Sequence, residues 1–457
     1  MLTPRALASK WLDVPQVLTV FLIAPAILCG CGRPAGPPSA NAVTIAPAQP
    51  VEVPDIILPA SDWPAWRGAR QDGCQTSSPP ATWSDSEIAW KAVLPGRGHS
   101  SPIIIGDGIY LQTADEDKQV QSVLKLDRAT GKIVWTTELF QGGFETAVHH
   151  ENSQASSTLA GDGTLLYSAF LNSRKVWLTA LDMQGKTVWQ TELGDFDSKF
   201  GFSASPTLHQ DHVLLNVDHQ GGGYAIAVGR ADGAVVWKTD RPGKASYASG
   251  RVIELSGNSL FLVPGCNEFA AYDPASGKEL WSTPGLAEAC VGTVVTDGNL
   301  LFASGGYPER ITQALRPDGS IAWDNRNKVY VPSMIVVEGH LYAIDDDGVA
   351  RCYEAATGEM KWQSRMGGNF RASPVSAGGH IYTLDMGGQV RVLKADPEAY
   401  QLVFETSLGK EGFASPAVSG DAIFFRVRGD DNGRPADLLY AIGTVTPPSA
   451  TEPAATN

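Results

Sequence analysis

Apolar and polar positions alternate along most of this chain with a period of two. Gly, Pro, Asn and Asp cut the alternation into short runs, the mark of strands and turns rather than helices. The runs repeat in a fixed order. A strand opens on Ser and often Pro ("HSSPIII", "ASSTLA", "SASPTL", "RASPVS", "FASPAV"). A turn such as "GDG", "TDGN" or "AGGH" follows, then a β-rich run such as "IYLQTA" or "IYTLD". A variable loop leads to a third strand, and a Gly turn leads to a fourth that carries an aromatic residue. The fourth strand alternates most cleanly, with Ile133, Trp135 and Thr137 sharing one face.

Aligned on the Gly turn, the units are "DRATGKIVW" to Trp135, "DMQGKTVW" to Trp189, "GRADGAVVW" to Trp237, "DPASGKELW" to Trp281, "RPDGSIAW" to Trp323 and "EAATGEMKW" to Trp362. A weaker copy, "ADPEAYQLVF", ends on Phe404. Spacings of 39 to 54 residues fit a four-stranded blade. Trp90 lies in a strand with none of its own before it, and the last unit stops after three strands. The pattern predicts an all-β, eight-bladed propeller of antiparallel blades. The strand near Trp90 closes the ring by pairing into the last blade, which removes the free edges. The Gly supplies a positive φ and the Trp a large buried area, so the repeat most simply packs one blade on the next.

The ends read differently. Arg5 and Lys10 precede the apolar stretch "VLTVFLIAPAIL", which ends in "LCGC". Residues 1–30 are expected to be a lipoprotein export signal, with Cys31 lipidated and holding the protein at a membrane surface. Residues 31–61 are rich in Pro and Ala and read as a flexible tether, 62–443 as the propeller, and 444–457 as a disordered tail. The net charge of −14 argues against nucleic acid as a partner. Cys74, Cys266, Cys290 and Cys352 lack metal-type spacing; Cys266 and Cys290 end on the same face of adjacent blades, so a disulfide between them is one expectation.

The Gly turns share a face with the other short turns. The longer, more polar loops between blades and between second and third strands share the opposite face, where binding is expected. The densest cluster there is His149, His150, Glu151 and Asn152, read either as metal or substrate contacts or as a solvated loop. Successive side chains on an extended segment point apart, which disfavours chelation by the two histidines. Tyr307 and Tyr330 join this candidate loop-face cluster.

In "AYDPASGKELW", Ala271, Asp273, Gly277, Lys278 and Trp281, with Ser276 replacing Thr, resemble the repeat of the pyrroloquinoline-quinone (PQQ) propeller family. Asp127, Thr130, Gly131, Lys132 and Trp135 resemble it in the first unit, where Lys125 stands in place of Ala. "DWPAWRG" (Trp63, Trp66, Arg67, Gly68) is similar to the family's opening segment. The resemblance implies an eight-bladed propeller over most of the chain. It also implies one of two activities. Some members are quinoprotein alcohol dehydrogenases, which hold PQQ and Ca²⁺; others are propeller lipoproteins of outer-membrane β-barrel assembly. No adjacent cysteine pair and no CxxCH haem motif occurs in this sequence. The expectation is a non-catalytic, monomeric, membrane-tethered scaffold for protein or peptide partners, with no cofactor. A periplasmic PQQ oxidoreductase and a carbohydrate- or polymer-binding propeller are the alternatives.

Overall fold

The computed structural model describes residues 50–445, apart from 146, 147, 199 and 256. Eight sheets surround one axis, each with its first strand innermost and its fourth outermost. Blade 1 is built from Ile103–Ile105, Gly108–Asp115, Val120–Asp127 and Ile133–Gln141. Blades 2 to 7 follow in chain order. Blade 8 takes Ala417–Ser419, Ala422–Asp431 and Arg434–Gly443 from the C-terminal end and Ile88–Leu94 from the N-terminal end, paired antiparallel. Trp90 stands opposite Ala441 in that pairing, so the ring is closed by chain ends as the repeat count predicts.

The second strand "LLYSAFLN" is buried at every position because blades cover both of its faces. The alternation survives in the outer strands, where one face meets solvent.

Each repeat Trp joins its blade to the next. The Trp90 indole N–H donates to Arg128 O (2.9 Å), Trp135 to Met183 O (3.2 Å), Trp189 to Arg230 O (2.9 Å) and Trp237 to Pro274 O (3.0 Å). Trp281, Trp323 and Trp362 donate likewise to Pro317, Ala355 and Asp396. Every acceptor lies in the turn before the next blade's fourth strand. Except at Trp362, whose turn has no glycine, the indole lies on that turn's glycine: a β-carbon at Gly319 would sit 2.7 Å from the Trp281 ring. The glycine is therefore needed twice, for its positive φ and because the neighbouring ring occupies the space of a side chain. Two residues past the Trp, Thr137, Thr191, Thr239 and Thr283 hydroxyls donate to the same turns' glycine carbonyls at 2.6–2.8 Å. Phe404 has no such turn to meet, because blade 8 draws its fourth strand from the N-terminal end. It packs on Trp83 instead, at 4.6 Å between centroids.

The Ser that opens each inner strand makes a second set of junctions. Ser101 N–H donates to Thr158 Oγ1, Thr158 N–H to Ser205 Oγ, and Ser205 N–H to Ser249 Oγ. Thr293, Ser333 and Ser373 amides continue to Ser333, Ser373 and Ser415 hydroxyls. These bonds of 2.8–3.0 Å satisfy inner-strand amides that have no strand beside them.

Two findings depart from the plain four-strand pattern. Blade 7 carries a fifth strand: Cys74–Gln75 runs parallel to Val375–Ala377 on the axial side. Part of the segment expected to be a flexible tether lies against the ring. Val51 N–H donates to Ala231 O (3.2 Å), Pro54 O accepts from Arg230 Nη2 (2.9 Å), and Val51, Val53 and Leu58 pack on blade cores. Cys31, the signal stretch and residues 446–457 lie outside the described residues.

Candidate functional site

Residues 62–78 occupy the axis of the ring. Trp63 exchanges two backbone bonds of 2.9 Å with Ile104 of blade 1. Trp66 Nε1 donates to Thr293 Oγ1 (2.8 Å) of blade 5. Gln71 Nε2 donates to Thr207 Oγ1 (3.1 Å) of blade 3. The Arg67 guanidinium is buried and donates to Met334 O (2.7 Å), Asp72 O (2.8 Å) and Pro374 O (3.5 Å), which ties blades 6 and 7 to the plug. Nothing in the local pattern of "DWPAWRGARQDGCQ" marks an axial role, because its partners are carbonyls and hydroxyls hundreds of residues away.

On the face of the long loops, a cavity of about 690 Å³ opens with Trp66 among its lining residues. The loops between blades all contribute to it, among them His99, Glu151, Phe200, Tyr247, Glu288, Tyr330, Arg371 and Phe413. Tyr307 and Gln220 come from loops between second and third strands. The face predicted for binding is thus the face that carries the cavity. His149, Glu151, Asn152, Tyr307 and Tyr330 are brought together at it, whereas the His150 side chain is 81% exposed and does not line it.

The charges at the mouth are paired with one another. Arg371 grips Glu151 through two bonds, Nε to Oε2 (2.8 Å) and Nη2 to Oε1 (3.1 Å). That guanidinium holds the Glu151 carboxyl below the ordinary carboxylate range. Arg371 also lies 3.6 Å from Asp346, whose oxygens accept the Tyr330 and Val331 amides at 2.8 and 3.1 Å. Burial pushes the Asp346 carboxyl up. Lys244 and Glu288 form a third pair at 3.2 Å. His99 stacks on Phe413 (4.3 Å, 12°) and is held well below its usual range by burial, with Arg97, Arg426 and Arg428 adding to the effect.

His149 Nδ1 accepts the Glu151 amide (3.3 Å), and its ring packs on Phe200 at 4.9 Å. Among the described residues, no group of three or more His, Cys, Asp or Glu is placed to hold a metal ion. A Ca²⁺-bound quinone needs a cage of free carboxylate and amide oxygens. Here Glu151 is held by Arg371, Asp346 by two amides, and the Asn152 amide donates to Phe200 O. The lining residues as placed do not fit that group.

The expected Cys266–Cys290 disulfide is not formed, and both are free thiols. Cys266 Sγ donates to Lys244 O (3.3 Å) and Cys290 Sγ to Ala287 O (3.7 Å). The Cys266 sulfur is thus bonded to the loop that precedes its blade and the Cys290 sulfur within its own loop, and both residues are buried.

Comparison with known proteins gives the family and the fold. The profile of the outer membrane protein assembly factor BamB family matches residues 81–199, 174–305, 270–373 and 346–439. The Yersinia pestis outer membrane protein assembly factor BamB is 24% identical over 77% of this chain and 87% of its own. The crystal structure of BamB from Moraxella catarrhalis superposes with a TM-score of 0.56 at 16% identity, covering 77% of this chain and 98% of that one. A europium-containing methanol dehydrogenase superposes with a TM-score of 0.64 at 13% identity, covering 84% and 98%, a likeness of fold. With matches running from residue 81 to residue 439, this chain belongs to the BamB family of PQQ-type propellers.

Proposed function

We propose that this protein is a non-catalytic docking component of outer-membrane protein assembly, held at the membrane by lipid on Cys31. Its working surface is the long-loop face. The observation that carries this reading is the asymmetry of the ring. One face consists of short turns fixed by Trp and Thr from the neighbouring blade. The other gathers the loops between blades around one aromatic-lined mouth. A partner surface placed there meets Tyr307, 63% exposed, and the rims of Tyr330, Phe200 and Tyr247. Exposed aromatics around a concavity are the usual anchors of protein recognition.

The reading is tested in cells that lack the protein, by the level of folded β-barrel proteins in their outer membranes. Wild-type protein restores that level; a Cys31→Ser variant restores it poorly because the lipid anchor is gone. Unchanged β-barrel levels in the deletion strain would overturn the proposal.

A further inference from the structure

We infer that the axial cavity is a binding site for a neutral oligosaccharide, a role separate from the docking of a protein on the surrounding loops. Three features of the lining point to that chemistry.

The first is a set of unused donors. Ser205, Ser249 and Ser373 are 2–5% exposed and line the cavity from blades 3, 4 and 7, on different sides of the axis. Each hydroxyl oxygen accepts an amide from the preceding blade. Among the described hydrogen bonds none of the three donates its own proton. A ligand that fills the cavity with oxygen acceptors satisfies all three at once, and buried hydroxyls favour such a ligand over an apolar one.

The second is the state of the charges. Glu151 with Arg371, and Lys244 with Glu288, are opposite in sign and in contact. An anionic or cationic ligand finds no uncompensated counter-charge in these pairs. A neutral hydroxylated ligand can add hydrogen bonds to them as they stand, because each carboxylate oxygen and each guanidinium edge can serve more than one partner.

The third is the aromatic surface. Trp66 is held by its bond to Thr293 Oγ1, so its ring cannot rotate freely. Phe200 and Tyr247 meet edge to face at 5.7 Å and 90°. Tyr330 packs against Gly306, where a β-carbon would meet its ring. Tyr307 is exposed beside it. The C–H faces of a sugar ring are apolar and its edges carry hydroxyls, so a wall that alternates fixed aromatic faces with hydroxyl donors matches both. A cavity of about 690 Å³ lies in the size range of small-ligand sites.

The test is calorimetric titration of the purified propeller with chitotriose, cellotriose and maltotriose, each to about 10 mM, beside an uronic-acid trisaccharide and an unrelated tripeptide. The expected result is binding of at least one neutral trisaccharide with weaker or no binding of the charged sugar and the peptide. Tyr307→Ala, whose side chain is largely in solvent, is expected to weaken that binding at least tenfold while leaving the thermal midpoint unchanged. Trp66→Phe is expected to weaken it with only a small drop in the midpoint. No heat and no midpoint shift with any neutral sugar would overturn the inference, as would tighter binding of the peptide or an affinity untouched by Tyr307→Ala. β-Barrel levels in the deletion strain report on the docking role alone, so the two readings can fail separately.

Discussion

The indole of Trp237 lies on the α-carbon of Gly277, one blade away, and its N–H donates to Pro274 O in the same turn at 3.0 Å. Gly277 has φ +71°, so an L side chain there is strained and also collides with the ring. Gly277→Ala is expected to lower stability by roughly 2–4 kcal/mol, read as an earlier urea midpoint. Trp237→Phe keeps most of the buried area and loses the hydrogen bond. It is expected to cost about 1–2 kcal/mol. A Gly277→Ala protein as stable as wild type would contradict the assigned role of the turn.

Arg67 ties the axial segment to blades 6 and 7 through carbonyls alone. Arg67→Met fills similar space but leaves those carbonyls without a donor. The expected cost is about 2–4 kcal/mol. Because Ser376 N–H donates to Gly73 O, its amide should exchange faster with solvent in this variant, while outer-strand amides keep their wild-type rates.

Asp62 is fully buried, and burial raises its carboxyl to about 6. The folded state therefore holds this proton at pH values where the unfolded chain, with an ordinary carboxyl, has released it. Its contribution is most favourable below pH 4 and is lost as pH rises through about 6. Asp62→Asn keeps an acceptor for the Gly106 amide and removes the titration. The variant should gain about 3 kcal/mol on wild type at pH 7, a gain that shrinks toward zero below pH 4. A gain independent of pH would rule out this origin.

Cys266 and Cys290 are buried, and burial pushes both thiols well above their usual range. Neither is expected to react with an alkylating reagent at pH 8 in the native protein, and both should react after unfolding. A peptide map without reduction that shows them linked would overturn the assignment of two free thiols.

The ring itself was readable in the sequence because each blade repeats the same local chemistry. Gly131, Gly185, Gly233, Gly277, Gly319 and Gly358 occur at positive φ, each followed within a few residues by its aromatic. The closing strand was readable from Trp90, an outer-strand residue without an inner strand before it. The Ser at the start of each inner strand was visible as a pattern, but its bond to the preceding blade was not, since that contact joins residues about one repeat apart. The axial segment was the least legible. Trp66, Arg67 and Gln71 act through partners 136 to 307 residues away, and no periodicity encodes such contacts. Of the loop-face residues, Glu151 stood out by composition, whereas its partner Arg371, 220 residues on, is a lone cation in "GGNFRA".

Site-specific photocrosslinking in growing cells tests the central claim most directly. A photoreactive residue replaces Tyr307 on the loop face or, as the comparison, Lys186 in a Gly turn on the opposite face. The account predicts a crosslink from position 307 to a component of the outer-membrane assembly machinery and none from position 186. Crosslinks to that machinery from position 186 alone, or from neither position, would contradict it.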